Sequence, residues 1–204
     1  MAEVGAGVEG ALEGAADGSA AASAADAAMD DFFADERVLL EYNRARRMQA
    51  LNGAPADFPT FLRDGFEATV VTPPETDYVV GSDGLLTLDF ELGTGRAPGP
   101  TDEVVFEYKV YNEAGKLIDG TYNKETPGQT RLGLGGLIPG VEEGMLGMRV
   151  GGRRRIVCPP ELGPPVGPQT FFMSRQYEVF DVKLLEVHTC TEKQVLFTKR
   201  SVCE

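Results

Sequence analysis

"GGLIPGVEEGMLGMRVGGRRRIVCPPELG", residues 135–163, decides the fold. Pro139 suits the first turn of a helix, where its missing N–H costs nothing. Glu142 and Glu143 follow where the helix dipole favours acids. Val141, Met145 and Met148 recur on one helical face, and Gly140, Gly144 and Gly147 on another. Glycine is unfavourable in an exposed helix, so the glycine face predicts a close approach to a neighbouring sheet. Val150-Gly151-Gly152 turns the chain back into the strand "RRRIVC". Arg153 and Arg155 are expected to face solvent there, with Ile156 and Cys158 inward. "GLGG" at 133–136 has some likeness to a phosphate loop. No Gly-Lys-Ser/Thr follows it, however, and the next helix opens with two glutamates that repel phosphate.

Working outward, the texture on both sides is short strands divided by turns. "LLTLDFEL" (85–92) alternates, and "EVVFEYKVYN" (103–112) places Val104, Phe106, Tyr108 and Val110 on one face. "NEAGKL" is a turn in which Gly115 supplies positive φ. "YEVFDVKLLEV" (177–187) alternates poorly, as a central strand would. The fold class is α+β, a mainly antiparallel sheet wrapped on one short helix. "DDFFADERVLLEYNRARRMQALNG" (30–53) predicts a further helix. Asp30 or Asp31 caps it, and Phe32, Val38, Leu39, Tyr42, Met48 and Leu51 give its apolar face. Asn52-Gly53 stops it. Arg44, Arg46 and Arg47 near its end read as a solvated helix terminus ahead of a docking face. "PADFPTFLRDGFEATVVTPPETDYVVGSDG" (55–84) reads as an extended linker, with Phe58, Phe61, Leu62 and Phe66 tacked onto the main body.

From Met1 to Glu36 there are nine acids and no Lys or Arg. Residues 1–30 therefore read as a disordered, acidic, Ala/Gly-rich segment. It is not a transit peptide, which would be Arg-rich and acid-poor. It reads as the exposed start of a mature protein whose targeting segment is gone. The organisation expected is 1–30 disordered, 31–84 helical extension and linker, 85–187 main domain, and 188–204 a hairpin-like tail.

The 204 residues carry a formal net charge of −13. That charge excludes nucleic acid and anionic lipid as main partners. No apolar run approaches the roughly 20 residues of a membrane span, so direct membrane insertion is not expected. His188 is the sole histidine and has no metal-ligand cluster around it, so no metal or cofactor is expected. Cys158, Cys190 and Cys203 form no CxxC pair. Cys190 and Cys203 frame "TEKQVLFTKRSV"; they either close a hairpin or remain free thiols in a reducing compartment.

The opening stretch resembles the FK506-binding protein (FKBP) family of peptidyl-prolyl isomerases, whose hallmark is close to "VIPGWEEGLxGMKVGGKRRLxIPPxLAYG". The resemblance runs from "LLTLDFEL" through "EVVFEYKVYNEAGKLIDGT" to "YEVFDVKLLEV", about residues 85–187. It implies an FKBP-like antiparallel β-sheet wrapped around a short α-helix, here with an N-terminal helical extension. Between sheet and helix it implies an apolar groove that holds a proline side chain, so proline-containing protein segments are the partners it suggests. The site residues it implies are Tyr108, Asp119, Leu137, Ile138, Val141 and Phe180. Leu137 and Ile138 match the apolar pair before the helix, whose first member also offers a backbone N–H to the substrate.

The departures matter as much. Val141 stands where the family has a tryptophan floor, and Ile118 where it has an aromatic before Asp119. The family's "AYG" is "GPPVG" here, so its tyrosine falls near Pro164. The loop aromatic around 128 is gone, with Phe171 and Phe172 as candidate substitutes. The expectation is an isomerase fold with an eroded active site. The extension and the C-terminal cysteine pair resemble the chloroplast thylakoid-lumen branch of the family, with the cytoplasm as the alternative location. That branch implies a Cys190–Cys203 disulfide beside a reduced, buried Cys158. It also implies an assembly or scaffold role for photosynthetic membrane complexes, photosystem II supercomplexes among them, with weak or absent isomerase activity. The alternative is an active isomerase assisting protein folding.

Overall fold

The computed structural model describes residues 35–121, 124–164, 175–195 and 198–204. The expected disorder of residues 1–30, the caps Asp30 and Asp31, Phe32, and the pair Phe171 and Phe172 lie outside them. The chain divides into two compact units, Met1–Leu40 and Glu41–Glu204. Helix α1 (Glu36–Leu51) spans the division. In the first unit the Asp35 carboxylate accepts the Arg37 amide at 2.8 Å, an N-cap contact.

The second unit is built on strands β1 (Thr60–Asp64), β2 (Glu67–Val71), β3 (Val79–Val80), β4 (Leu86–Glu91), β5 (Glu103–Asn112), β6 (Leu117–Gly120) and β7 (Gly128–Arg131). Helix α2 (Pro139–Leu146) follows, then β8 (Arg153–Cys158), β9 (Glu178–His188), β10 (Cys190–Val195) and β11 (Thr198–Cys203). Seven strands form one antiparallel sheet in the order β3-β4-β8-β9-β5-β6, with β7 also on β5. Strand β9 is central, between β8 and β5, and both its faces are covered. That is why its sequence alternates poorly.

On the inner face, Val141, Met145 and Met148 of the α2 region pack on Val104, Phe106, Ile156, Val182 and Leu184. The glycines of α2 do what their spacing implied. A Cβ on Gly140 would stand 2.8 Å from Cys158 Sγ, and one on Gly144 2.6 Å from Ile156 Cδ1. Helix and strand thus meet at a distance that only hydrogen side chains allow. Arg154 ties the end of the helix: its guanidinium donates to Gly144 O at 2.9 Å and to Asp89 at 2.7 and 2.6 Å.

The outer face departs from the sequence reading in three places. The stretch read as an extended linker contains the β1–β2 hairpin, closed by Gly65-Phe66 with Gly65 at φ +63°. It also supplies Phe58 and Phe61 to a second core with Leu86, Tyr111, Val157 and Val179, while Phe66 is left exposed. Arg155 does not face solvent. Its side chain is 1% exposed and bound to Asp181 and Asp57, because the extension covers the face that a bare sheet would leave wet. Nor is α1 held by its apolar residues: Met48 and Leu51 are exposed. Its anchors are polar. Buried Gln49 donates to Pro59 O and Glu113 O at 2.9 and 3.0 Å, and Arg46 donates to Phe58 O and Ala56 O at 3.0 Å each. Those backbone carbonyls, three in the following segment and one in the β5–β6 turn, need donors, and polar side chains supply them.

Beyond β9, β10 and β11 pair antiparallel with Cys190 opposite Cys203, and a disulfide joins the two. Cys158 is a free, buried thiol whose pKa is pushed well up by burial and by the Glu178 charge.

Candidate functional site

A cavity of about 490 Å³ opens between α2 and the inner face of the sheet. Tyr108, Asp119, Leu137, Ile138, Val141 and Phe180 all line it. Strand register explains the convergence. Phe180 of β9 faces Val110 of β5, which faces Asp119 of β6, so three strands set these residues in one row. Tyr108 lies two residues along β5 on the same face. Leu137 and Ile138 enter on the segment leading into α2, where the Ile138 carbonyl accepts the amides of Val141 and Glu142 at 3.1 Å.

One end of the cavity is polar. Tyr108 Oη donates to Asp119 Oδ2 at 2.8 Å. Lys124 Nζ donates to Asp119 Oδ1 and to Tyr108 Oη, each at 3.2 Å, and stands 5.4 Å from the Tyr108 ring centroid. The Tyr108 hydrogen bond, the Gly120 amide and Lys124 together hold the Asp119 carboxyl below its ordinary range. The hydrogen bonds to Tyr108 and Asp119 hold the Lys124 ammonium above its own. Asp119 is therefore an anion that orients a phenol, and at this exposure it has no use as a proton donor near neutrality.

Apart from Gln129, Thr130 and Glu178, the rest of the lining is apolar but thin. Val141 is 2% exposed and belongs to the core as well as to the floor. Ile118 is 51% exposed at the rim. Gly128 brings no side chain to the lining, and a Cβ there would already meet the Phe106 ring at 3.1 Å. Pro164 is half-buried and is not part of the lining. Phe106 was missed as a site residue although it shares the face of Tyr108, with ring centroids 5.7 Å apart. Strand alternation carried that signal, as it did for Glu178, one side-chain step from Phe180. Nothing in the local sequence pointed to Lys124.

The arrangement can enclose a small apolar ring against Phe106, Tyr108 and Phe180, with a phenol–carboxylate pair at one end. Among the described residues no Ser, Cys or His lines it. The "GLGG" loop gives no anion site either, since the Glu142 carboxylate takes the Gly133 amide at 3.3 Å. Among the described residues no group of three or more His, Cys, Asp or Glu is placed to hold a metal, and no helix is long and apolar enough to cross a membrane.

Residues 94–185 match the family of FKBP-type peptidyl-prolyl cis-trans isomerases. The chain is 48% identical over 162 residues to the Arabidopsis thaliana peptidyl-prolyl cis-trans isomerase FKBP20-2, chloroplastic, spanning 79% of this chain and 65% of that protein. It is 32% identical over 174 residues to the FKBP-type peptidyl-prolyl cis-trans isomerase FkpA of Escherichia coli K12, spanning 78% and 62%. The chain thus covers somewhat less than two thirds of each of these relatives. The crystal structure of AtFKBP13 superposes with a TM-score of 0.47 at 26% identity, over 54% of this chain and 98% of that one.

Proposed function

We propose that this chain, whose residues 94–185 belong to the FKBP-type peptidyl-prolyl cis-trans isomerase family, uses its groove to hold proline-containing protein segments and has only weak isomerase activity. Its role is that of an assembly or scaffold factor for photosynthetic membrane complexes, photosystem II supercomplexes among them, in the thylakoid lumen of the chloroplast. The observation that carries the weak-catalysis reading is the floor and rim of the groove, to which Val141, Ile118 and Gly128 bring no aromatic ring to enclose the imide.

The uncatalysed barrier to X-Pro isomerisation is about 18–20 kcal/mol. Each tenfold acceleration requires about 1.4 kcal/mol of extra binding to the twisted imide. Such binding depends on removing water from the twisting bond, and an open, aromatic-poor pocket does this badly. The chloroplastic relative supports the compartment. The Cys190–Cys203 disulfide supports an oxidising one within it.

The intact Tyr108–Asp119 pair favours a second reading, an active isomerase that assists folding. An X-Pro isomerisation assay separates the two when run beside purification of complexes from thylakoids. Rates close to those of an aromatic-complete family member, with no co-purifying photosynthetic subunit, would put the enzyme reading first.

A further inference from the structure

Glu178 places a charge where an apolar groove has no evident use for one. It lies two residues before Phe180 on the inner face of β9 and lines the same cavity. Its cross-strand neighbours are Cys158, a buried thiol, on β8 and Asn112, a neutral amide, on β5, and neither offers a countercharge. Glu178 is half-buried, and among the described residues it makes no side-chain hydrogen bond or ion pair. Its surroundings desolvate it enough to raise its pKa above the ordinary carboxylate value. Lys124, beside the groove, is already engaged with Asp119 and Tyr108.

A carboxylate left partly dry and unpaired is destabilising, and a ligand that brings a cation to it recovers the loss. The spacing suits a peptide. The row from Phe180 to Asp119 crosses three strands, about 10 Å, and Glu178 lies about 7 Å along β9 from Phe180. An extended chain advances about 3.3–3.6 Å per residue. With a proline ring against Phe180, the side chain one or two residues away reaches Glu178. The net charge of −13 favours the approach of such cationic segments.

We propose that Glu178 makes this groove selective for proline segments that carry a lysine or arginine within two residues of the proline. The inference rests on the reading of the groove as a proline site. The test is binding, measured by NMR titration of the full chain with a panel of peptides. The peptides differ only in having Lys, Leu or Glu at each of the two positions on either side of one proline. At one position at least, the Lys peptide should bind about five- to tenfold more tightly than the Leu peptide, and the Glu peptide less tightly than either, with the spread shrinking in high salt. Glu178→Gln should bring the Lys-to-Leu ratio close to one, and Glu178→Asp should keep part of it. The amide spectrum of each variant reports whether the fold is retained. Equal binding of all peptides overturns the selectivity and leaves the proline groove standing. A lysine preference that survives Glu178→Gln overturns the assignment to this residue. Failure of every peptide to bind overturns both readings.

Discussion

Replacing Arg155 by Met should cost the protein about 3 kcal/mol. The guanidinium is 1% exposed. Its Nε and Nη2 bind the two oxygens of Asp181 at 2.6 and 2.9 Å, and Nη1 binds Asp57 at 3.0 Å. It also lies 5.1 Å from the Phe90 ring centroid and 5.4 Å from that of Phe58. Burial works against the guanidinium's charge, yet the Asp181 bonds outweigh it and leave the group more firmly protonated than usual. Met retains the apolar stem, so the loss falls on three charge-assisted hydrogen bonds and on the carboxylates left behind. Removing one member of a buried ion pair costs about 3–5 kcal/mol. Asp181 and Asp57 are 20% and 34% exposed and can rehydrate in part, which places the expectation at the lower end.

Urea unfolding measures the change, with Arg153→Met as control. Arg153 pairs with Glu91 at 48% and 56% exposure, so its loss should cost less than about 1 kcal/mol. Adding Asp181→Leu to Arg155→Met should recover part of the stability, since both charges then leave together. Because Asp57 belongs to the extension, hydrogen exchange in Arg155→Met should rise more at Phe58–Leu62 than along β5. Equal losses in Arg155→Met and Arg153→Met would refute the view that Arg155 ties the extension to the sheet.

Gly144→Ala forces a Cβ to within 2.6–2.9 Å of Ile156. Overpacking of about 1–3 kcal/mol exceeds the helix-propensity gain of about 1 kcal/mol, so the thermal midpoint should fall; a rise would mean that the helix and β8 separate freely. Val141→Trp places an indole on the floor of the cavity and should raise X-Pro isomerisation about tenfold or more, at some loss of stability; an unchanged rate in a folded variant would show that the floor does not limit catalysis. The Asp119 carboxyl should titrate below its ordinary 3.8, so the Tyr108–Asp119 contact persists as pH falls to that value and is lost only below it. By NMR, Tyr108→Phe should raise this midpoint more than Lys124→Ala does, and the reverse order would assign the main effect to charge. Alkylation of the native protein should spare Cys158, whose burial suppresses its thiolate, and non-reducing peptide mapping should find Cys190 joined to Cys203; a bridge to Cys158 would contradict the packing of α2 against β8.

The inner half of the molecule was legible in the chain. Periodicity fixes which residues of α2 and the strands point inward, and glycine spacing reports how near the helix comes, because both follow from local geometry. The resemblance then placed Tyr108, Asp119, Leu137, Ile138, Val141 and Phe180 around one groove, and they do line one cavity. The outer half depended on a second layer that local pattern does not encode. An arginine in β8 and a glutamine in α1 look like surface residues until residues 54–71 fold over them. Only then do Asp57, Asp181 and the carbonyls of Pro59 and Glu113 make those positions the right ones for buried polar groups. Gly65-Phe66 between two apolar runs was a hairpin signal, but prolines on both sides masked it as linker. The electrostatics of the groove are likewise tertiary. Lys124 reaches Tyr108 from 16 residues away, and Glu178 lies beside Phe180 with no side-chain partner among the described residues. Which charges a bound segment meets is settled by strand register and loop closure, and these bring together residues whose spacing along the chain carries no trace of their meeting.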